Sequence, residues 1–141
     1  MDKVKIEINS IVEDLDDAGL VENSEKTQGT AIGNISYRDN AAYLSYSETN
    51  EKVTTKLDII IKDGEVTVKR SGGVEYDFIF IEGKTTSSLY KVPPYSFDTE
   101  IYTRKIRTEL DGTEGKISLI YDMTIGGAKK KTRMNICVTK K

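Results

Sequence analysis

Apolar and polar residues alternate with a period of two along most of this chain from Ala41 onward. The clearest stretch runs from Ile117 to Ile125, where Ile, Leu, Tyr, Met and Ile occupy every second position. Successive side chains of a β-strand point to opposite faces, so this alternation indicates strands with one buried face. Almost no segment has a convincing helical pattern, and the sequence therefore predicts an all-β fold.

Short turn sequences separate the predicted strands. Asp63-Gly64 lies between two β-rich runs and is a strong hairpin signal. Pro93-Pro94 cannot donate ladder hydrogen bonds, so we predict a break or a sheet corner there. Other runs end in glycine-containing turns, at Ser71-Gly72-Gly73, Glu82-Gly83 and Gly126-Gly127. The spacing of these turns leaves room for about nine or ten strands.

The first part of the chain is harder to interpret. Val4, Ile6 and Ile8 predict an opening strand. The acidic segment 11–26 fits either a long hairpin loop or a short helix. Segment 28–37 fits another strand, in which Gly29 and Gly33 suit a strong bend or close packing.

The order of these elements favours one architecture. Successive hairpins without a long crossover favour an antiparallel up-and-down β-barrel, because closure removes the exposed edges of so many strands. A chain of 141 residues is large enough to bury one self-sufficient core. We therefore predict a single β-barrel domain over residues 1–141.

The absence of histidine restricts the chemistry open to this chain. Histidine is the usual general base near neutral pH, the commonest nitrogen ligand of metals and the base of Ser and Cys triads. The single cysteine, Cys137, cannot form an internal disulfide or a thiolate zinc cluster. We expect a non-enzymatic protein without a cofactor or a metal. A carboxylate-based enzyme stays open, although no acid falls in a recognisable acid/base motif.

Charge and hydropathy restrict the partners. Lys plus Arg total 21 against 23 for Asp plus Glu, so a net charge of −2 gives no overall attraction to nucleic acid or to an anionic membrane. The charged start MDKVKIEINS has no apolar core of a signal peptide, and no run is long enough to span a bilayer. We expect a cytoplasmic protein with no membrane or nucleic-acid partner. The oligomeric state is not indicated.

Several short motifs occur along the chain in a characteristic order: Tyr43-Leu44-Ser45-Tyr46 followed by Glu48, Arg70-Ser71-Gly72, Tyr90 followed by Pro93, Thr103, and Gly115-Lys116-Ile117 leading to Tyr121-Asp122. In this order and spacing they resemble the YwiB-like family of small bacterial proteins. That family is a domain of unknown function with a lipocalin-like, calycin-type β-barrel. The resemblance is best over residues 37–138 and implies no established activity. It implies a barrel interior of the kind that in lipocalin-like proteins often holds a small apolar or amphipathic ligand. One departure is Val92-Pro93-Pro94-Tyr95, which lacks the glycine that the family tends to have there.

Arg70 stands where the alternation of its strand requires a buried residue, because it continues the face of Val66 and Val68. If that face lines the barrel, a guanidinium enters an apolar interior near one mouth and needs a partner. Glu48 continues the face of Tyr46, and a bidentate ion pair would satisfy both charges. Three interpretations stay open: Arg70 caps the barrel end through carbonyls, Glu48 or solvent, it anchors a ligand carboxylate or phosphate, or it is exposed.

Tyrosines occupy several of the predicted inward faces. A phenol has an apolar body and a hydrogen-bonding tip, so these residues either pack the core or line a pocket. The segment KTTSSLY, residues 84–90, is either a cavity wall or a solvated edge strand. We predict a binding protein for a small apolar or amphipathic ligand, including anionic ones. The candidate ligand-binding residues are Arg70, Glu48, Tyr46, Tyr76, Tyr90 and Tyr121.

Two further patterns are consistent with other roles. Segment 14–25 partly matches a calcium loop through Asp14, Asp16, Gly19 and Glu25, although Ala18 occupies a ligand position and a solvated hairpin loop is the alternative. Basic residues cluster in segments 104–107 and 129–133. They either bind phosphates or protect strand edges from aggregation. The rival function is therefore an interaction module that meets a protein or RNA through its outer surface and the basic hairpin tips.

Overall fold

The computed structural model describes residues 2–50 and 52–141, which form one antiparallel sheet of ten strands. The predicted all-β fold of nine or ten antiparallel strands is confirmed. The strands in chain order are β1 (Asp2–Leu15), β2 (Val21–Arg38), β3 (Ala41–Asn50), β4 (Val53–Lys62), β5 (Glu65–Ser71), β6 (Tyr76–Phe80), β7 (Thr85–Val92), β8 (Tyr95–Asp111), β9 (Glu114–Ile125) and β10 (Ala128–Lys140).

The sheet curls into an up-and-down barrel that is nearly closed. Strands adjacent in the chain are adjacent in the sheet, and β1 also pairs with β10 in a long ladder from Val4 opposite Lys140 to Leu15 opposite Lys129. The two ends of the sheet order are β6 and β7. These two strands approach each other, so the remaining gap is a narrow seam between consecutive strands.

The seam between β6 and β7 is held partly by side chains. One backbone bridge joins Glu75 to Lys91, with both N–O distances at 2.9 Å. The hydroxyls of Thr86 and Ser88 donate hydrogen bonds to two backbone carbonyls of β6, each over 2.6 Å. These hydroxyls satisfy acceptors that a continuous ladder would otherwise satisfy. The KTTSSLY segment is therefore the strand that closes the barrel.

Left-handed turn residues create the tight hairpins. Asp63 and Gly64 have φ angles of 51° and 76°, and Asp39 and Asn40 have 52° and 60°. Two consecutive residues with positive φ are typical of the type I′ turn, whose twist matches that of paired strands. The predicted hairpin at Asp63-Gly64 is present.

Segment 11–26 is neither a long loop nor a helix. β1 continues to Leu15 and β2 begins at Val21, so the turn between them is short. The Asp16 carboxylate closes it by accepting hydrogen bonds from the backbone N–H groups of Ala18 and Leu20, at 2.9 and 2.8 Å. Within this segment no residue is fully buried: residues 21–26 of β2 are exposed, and residues 12–15 of β1 are half-buried beside β10. Without a buried face, its strands lack the alternation that identifies strands elsewhere.

The hydrophobic core fills the barrel interior with alternate residues from most of the strands. In the described part of the chain, no helix is long and apolar enough to cross a bilayer. The largest fully buried side chains are Phe80, Ile6, Ile35, Leu44, Ile59, Ile101, Ile117, Leu119 and Ile136.

Candidate functional site

A cavity of about 160 Å³ lies inside the barrel. Its walls are mainly aliphatic and aromatic side chains from β1, β3, β4, β5, β6, β9 and β10. Three phenols, those of Tyr46, Tyr76 and Tyr121, line it together with the guanidinium-bearing side chain of Arg70. Of the described residues in this lining, Arg70 alone carries a charge. The cavity thus combines an apolar body with one cationic group.

Arg70 is partly buried, and its Nε atom is buried without a hydrogen-bond partner. Hydrogen-bond donors removed from water are costly when they remain unpaired, by about 1–3 kcal/mol and more for a charged group. The neighbours across the sheet are Leu57 on β4 and Tyr76 on β6. Neither side chain carries a negative charge that would compensate the guanidinium. The wall of the cavity therefore has an unsatisfied donor for an anionic acceptor.

The register of four strands brings this site together. Tyr46 is opposite Leu57, Leu57 is opposite Arg70, and Arg70 is opposite Tyr76. Residues directly opposite each other in a sheet point to the same face, so this row projects inward as a unit. Sequence analysis identified Tyr46, Arg70 and Tyr76 from their individual faces but missed Leu57. Which residues of the four strands become neighbours in this row depends on the register between strands, and the alternation within a single strand does not specify that register.

A second space of about 350 Å³ lies where β2 and β3 separate, and we call it the side opening. The β2–β3 ladder ends at Gly33 opposite Tyr46, whereas β2 continues alongside β1 to Val21. The side opening is lined by Ile6, Ile8, residues 27–31 of β2, Tyr46, Glu48 and Arg70. Ile8, Tyr46 and Arg70 also line the cavity, so these three residues connect the two spaces.

The expected ion pair between Arg70 and Glu48 is not formed; in segments 2–50 and 52–141 the ion pairs join other residues. The register explains why. Glu48 is opposite Thr55, two positions beyond Leu57 on β4, and β4 separates Glu48 from Arg70. Two strand spacings place the backbones about 10 Å apart before this offset is added. Glu48 is exposed at the side opening, while Arg70 reaches inward.

Aromatic rings form a stack across the seam. Tyr76 stacks on Phe78 with ring centroids 4.0 Å apart, and on Tyr90 of β7 with centroids 5.8 Å apart. Tyr90 lies outside the cavity lining and packs behind Tyr76. Of the candidate ligand-binding residues, Arg70, Tyr46, Tyr76 and Tyr121 therefore surround the cavity; Glu48 lies at the side opening.

Comparison with known proteins identifies the family to which this chain belongs. The DUF1934 family, a domain of unknown function, matches residues 6–136. The chain belongs to this family. It is similar to the "uncharacterized beta-barrel protein YwiB" of Bacillus subtilis, with 31% identity over 123 residues that cover 87% of this chain and 82% of YwiB. The crystal structure of B. subtilis YwiB matches with a TM-score of 0.86 at 28% identity and covers 99% of this chain and 92% of that one. The resemblance to YwiB-like proteins and the β-barrel fold are confirmed.

Burial controls the ionisation of the phenols in this DUF1934 barrel. It raises the pKa of Tyr46 to about 12, Glu48 and Tyr76 act in the same direction, and Arg70 opposes them. Burial also raises the pKa of Tyr76, and the charge of Arg70 and its hydrogen bond with this phenol oppose that effect. Burial raises the pKa of Tyr121. All three phenols therefore stay neutral near neutral pH and can donate or accept hydrogen bonds toward the cavity.

These raised pKa values predict a loss of stability in alkali. A phenol whose pKa is higher in the folded than in the unfolded protein stabilises the fold fully below about pH 10 and loses that contribution as pH rises through the folded-state pKa. Each such group contributes a slope of at most about 1.4 kcal/mol per pH unit in that window. Urea unfolding between about pH 8 and pH 11.5 measures the slope. Tyr46→Phe is expected to reduce it, and an unchanged slope in that variant would contradict the assignment.

The partial calcium-loop match does not form a calcium loop. Asp14 lies on β1 and its carboxylate accepts a hydrogen bond from Lys130 Nζ over 2.6 Å, which lowers the pKa of Asp14. The Asp16 carboxylate is used by its own turn, and Glu25 lies on β2 opposite Val12. These carboxylates therefore point to separate partners instead of one centre.

Part of the basic segments is matched by acids on neighbouring strands, whereas Lys105, Arg107, Lys129 and Arg133 are opposite uncharged residues. Lys130 pairs with Asp14, and Lys131 is opposite Asp122 in the β9–β10 ladder. Arg104 binds the same Asp122 carboxylate through Nε and a terminal nitrogen, at 2.8 and 2.6 Å. Cross-strand pairing of this kind offsets the positive charge locally.

Proposed function

We propose that this DUF1934 protein is a non-enzymatic cytoplasmic binding protein for a small amphipathic anion, whose apolar part occupies the barrel cavity. The observation that carries the proposal is the buried, unpartnered Nε of Arg70 in the wall of an otherwise apolar cavity. A lone cysteine and a net charge of −2 suit a reducing compartment and a freely diffusing protein. Polar donors that converge on an apolar pocket are typical of ligand sites.

A ligand carboxylate or phosphate would satisfy the guanidinium. Arg presents a planar array of N–H donors that matches such oxyanions, and hydrogen bonds to charged groups contribute about 1.5–3 kcal/mol. The neutral phenols of Tyr76, opposite Arg70, and of Tyr46, two strands away in the same row, supply further donors. The charge on an anionic ligand is thereby met by groups already held in place by the sheet.

The size of the cavity limits the apolar part of the ligand. An apolar protein cavity of about 150 Å³ accommodates a benzene molecule. The cavity of about 160 Å³ therefore suits one aromatic ring or a branched aliphatic group of similar volume. The long acyl chain of a typical fatty acid exceeds that space.

The composition of the lining supports binding over catalysis. A carboxylate-based enzyme needs acids that converge on the substrate, and the described lining of the cavity contains no Asp or Glu. The tyrosines carry raised pKa values, which makes them poor bases near neutral pH. The site is therefore equipped to hold an anion and lacks an obvious group to transform it.

Binding of 3-phenylpropionate, measured by isothermal titration calorimetry, tests this function. We expect wild-type protein to bind it, and we expect Arg70→Met to weaken binding at least about tenfold, which corresponds to about 1.4 kcal/mol. Replacing Arg70, whose buried Nε has no hydrogen-bond partner, by an apolar side chain should not lower the melting temperature, so the loss of binding is separable from unfolding.

Lys69→Met provides the matched control. Lys69 is the adjacent residue on β5, is exposed, and lies outside the cavity lining. The Lys69→Met substitution removes one positive charge, as Arg70→Met does, but from the opposite face of β5. Equal affinities in the Arg70→Met and Lys69→Met variants, or failure of wild-type protein to bind this or any other small aromatic carboxylate, would refute the proposed function.

A further inference from the structure

Two opposite charges meet at the side opening without pairing to each other. Arg70 and Glu48 both line this space of about 350 Å³, together with Tyr46. No ion pair joins either residue to another side chain in the described segments of the protein. Opposite charges at one opening ordinarily attract and pair, but here the intervening strand β4 and the register offset keep them apart.

The two charged residues lie at different distances from the inner cavity. Arg70 borders both the side opening and the inner cavity, whereas Glu48 borders the side opening alone. Glu48 lies two residues beyond Tyr46 on the same face of β3, which is a step of about 6.6 Å along the strand. From the interior outward, a ligand therefore meets an apolar cavity, then a cation, then an anion.

We propose that the ligand is a zwitterionic α-amino acid with an apolar side chain, held with its side chain in the cavity, its carboxylate on Arg70 and its ammonium group on Glu48. This inference rests on the proposed function: the carboxylate of the ligand is the anionic group that binds Arg70, and the ammonium group is added to it. An α-amino acid carries both charges on one carbon atom next to its side chain, so a single compact molecule satisfies the three features in the required order. The cavity of about 160 Å³ suits a side chain of the size of phenylalanine or leucine.

The electrostatics give Glu48 opposite effects on two related ligands. A simple carboxylic acid has no group for Glu48, so this carboxylate repels it from the side opening. An amino acid gains an ion pair with Glu48 that offsets this repulsion. Tyr46 adds no charge to this balance, because burial raises the pKa of its phenol and keeps it neutral near neutral pH.

Calorimetric titration with three matched ligands tests the inference: L-phenylalanine, 3-phenylpropionate, which lacks the ammonium group, and 2-phenylethylamine, which lacks the carboxylate. Wild-type protein is expected to bind L-phenylalanine at least about fivefold more tightly than either analogue. Glu48→Gln is expected to weaken L-phenylalanine binding about tenfold and to leave 3-phenylpropionate binding unchanged or tighter. Glu48 is exposed, so this variant should fold normally.

Glu65→Gln is the control for the loss of one surface carboxylate, because Glu65 is exposed at the start of β5 and lies outside both spaces. We expect it to change neither affinity. If wild-type protein binds 3-phenylpropionate as tightly as L-phenylalanine, or if Glu48→Gln affects both ligands equally, the amino-acid inference is wrong while an anion site at Arg70 stands. If no carboxylate ligand binds, or Arg70→Met changes nothing, the proposed function itself fails.

Discussion

Replacing Phe80 by alanine is expected to lower the free energy of unfolding by about 3–5 kcal/mol. Phe80 is the largest of the fully buried side chains, with 1% of its surface exposed. Its ring packs against Tyr121 with centroids 4.7 Å apart and lines the cavity. Truncation removes the ring from a space that is already partly empty, so neighbouring groups lose contacts that they cannot regain by small movements.

The position of Phe80 in the barrel increases this effect. It ends β6, the short strand at one side of the seam, and it is opposite Val66 on β5. Phe80 is thus one of the few residues that fix β6 to the core. Amide hydrogen exchange in β6 and β7 should accelerate more in Phe80→Ala than exchange in β1 and β10, which pair in a long ladder remote from the seam.

Urea unfolding with linear extrapolation measures the change in stability. Phe97→Ala is the control, because Phe97 is 40% exposed on β8 and should cost less than about 1.5 kcal/mol. Similar losses of stability in the two phenylalanine variants would show that Phe80 does not pack tightly against the interior around the cavity.

The strands and turns were predictable because they depend on local patterns. In β9 every second side chain is buried from Ile117 to Met123, so the period of two is visible in the sequence itself. The same holds for Asp63-Gly64, whose residue types suit positive φ. The outer part of the β1–β2 hairpin was not recognised as paired strands, because residues 11–26 include no fully buried side chain and no burial selects alternate apolar residues.

The candidate site was predictable only in part, because it depends on which residues lie opposite each other. The face of Arg70 followed from Val66 and Val68, but its neighbours Leu57 and Tyr76 follow from the registers of two ladders. A shift of two residues preserves every face and changes every neighbour. The ion pair with Glu48, one of the alternatives for Arg70, does not form for this reason: the two faces are compatible, but the register and the intervening strand β4 keep the residues apart.

Gly33→Ala is expected to lower the free energy of unfolding by about 2–3 kcal/mol. A Cβ atom at this position would lie 2.2 Å from the carbonyl oxygen of Ser45, 2.7 Å from Ile6 Cδ1 and 2.9 Å from Tyr46 Cβ. The closest of these atoms belongs to the backbone of β3, so relief requires the two strands to move apart. Gly33, opposite Tyr46, is the β2 residue at the end of the β2–β3 ladder that borders the side opening. Movement of the two strands away from each other there would widen the side opening.

Gly29→Ala is a closely matched control for this prediction, because Gly29 lies on the same strand and the same face, and a Cβ atom there meets nothing within 4 Å. We expect its stability to stay within about 0.5 kcal/mol of wild type. Thermal unfolding of both variants, with amide exchange at residues 43–46, measures the difference. If the two alanine variants are equally stable, β2 does not approach β3 at Gly33 as closely as described. Because Gly33 is opposite Tyr46, which lines the cavity, a destabilised Gly33→Ala protein should also bind 3-phenylpropionate more weakly than wild-type protein does.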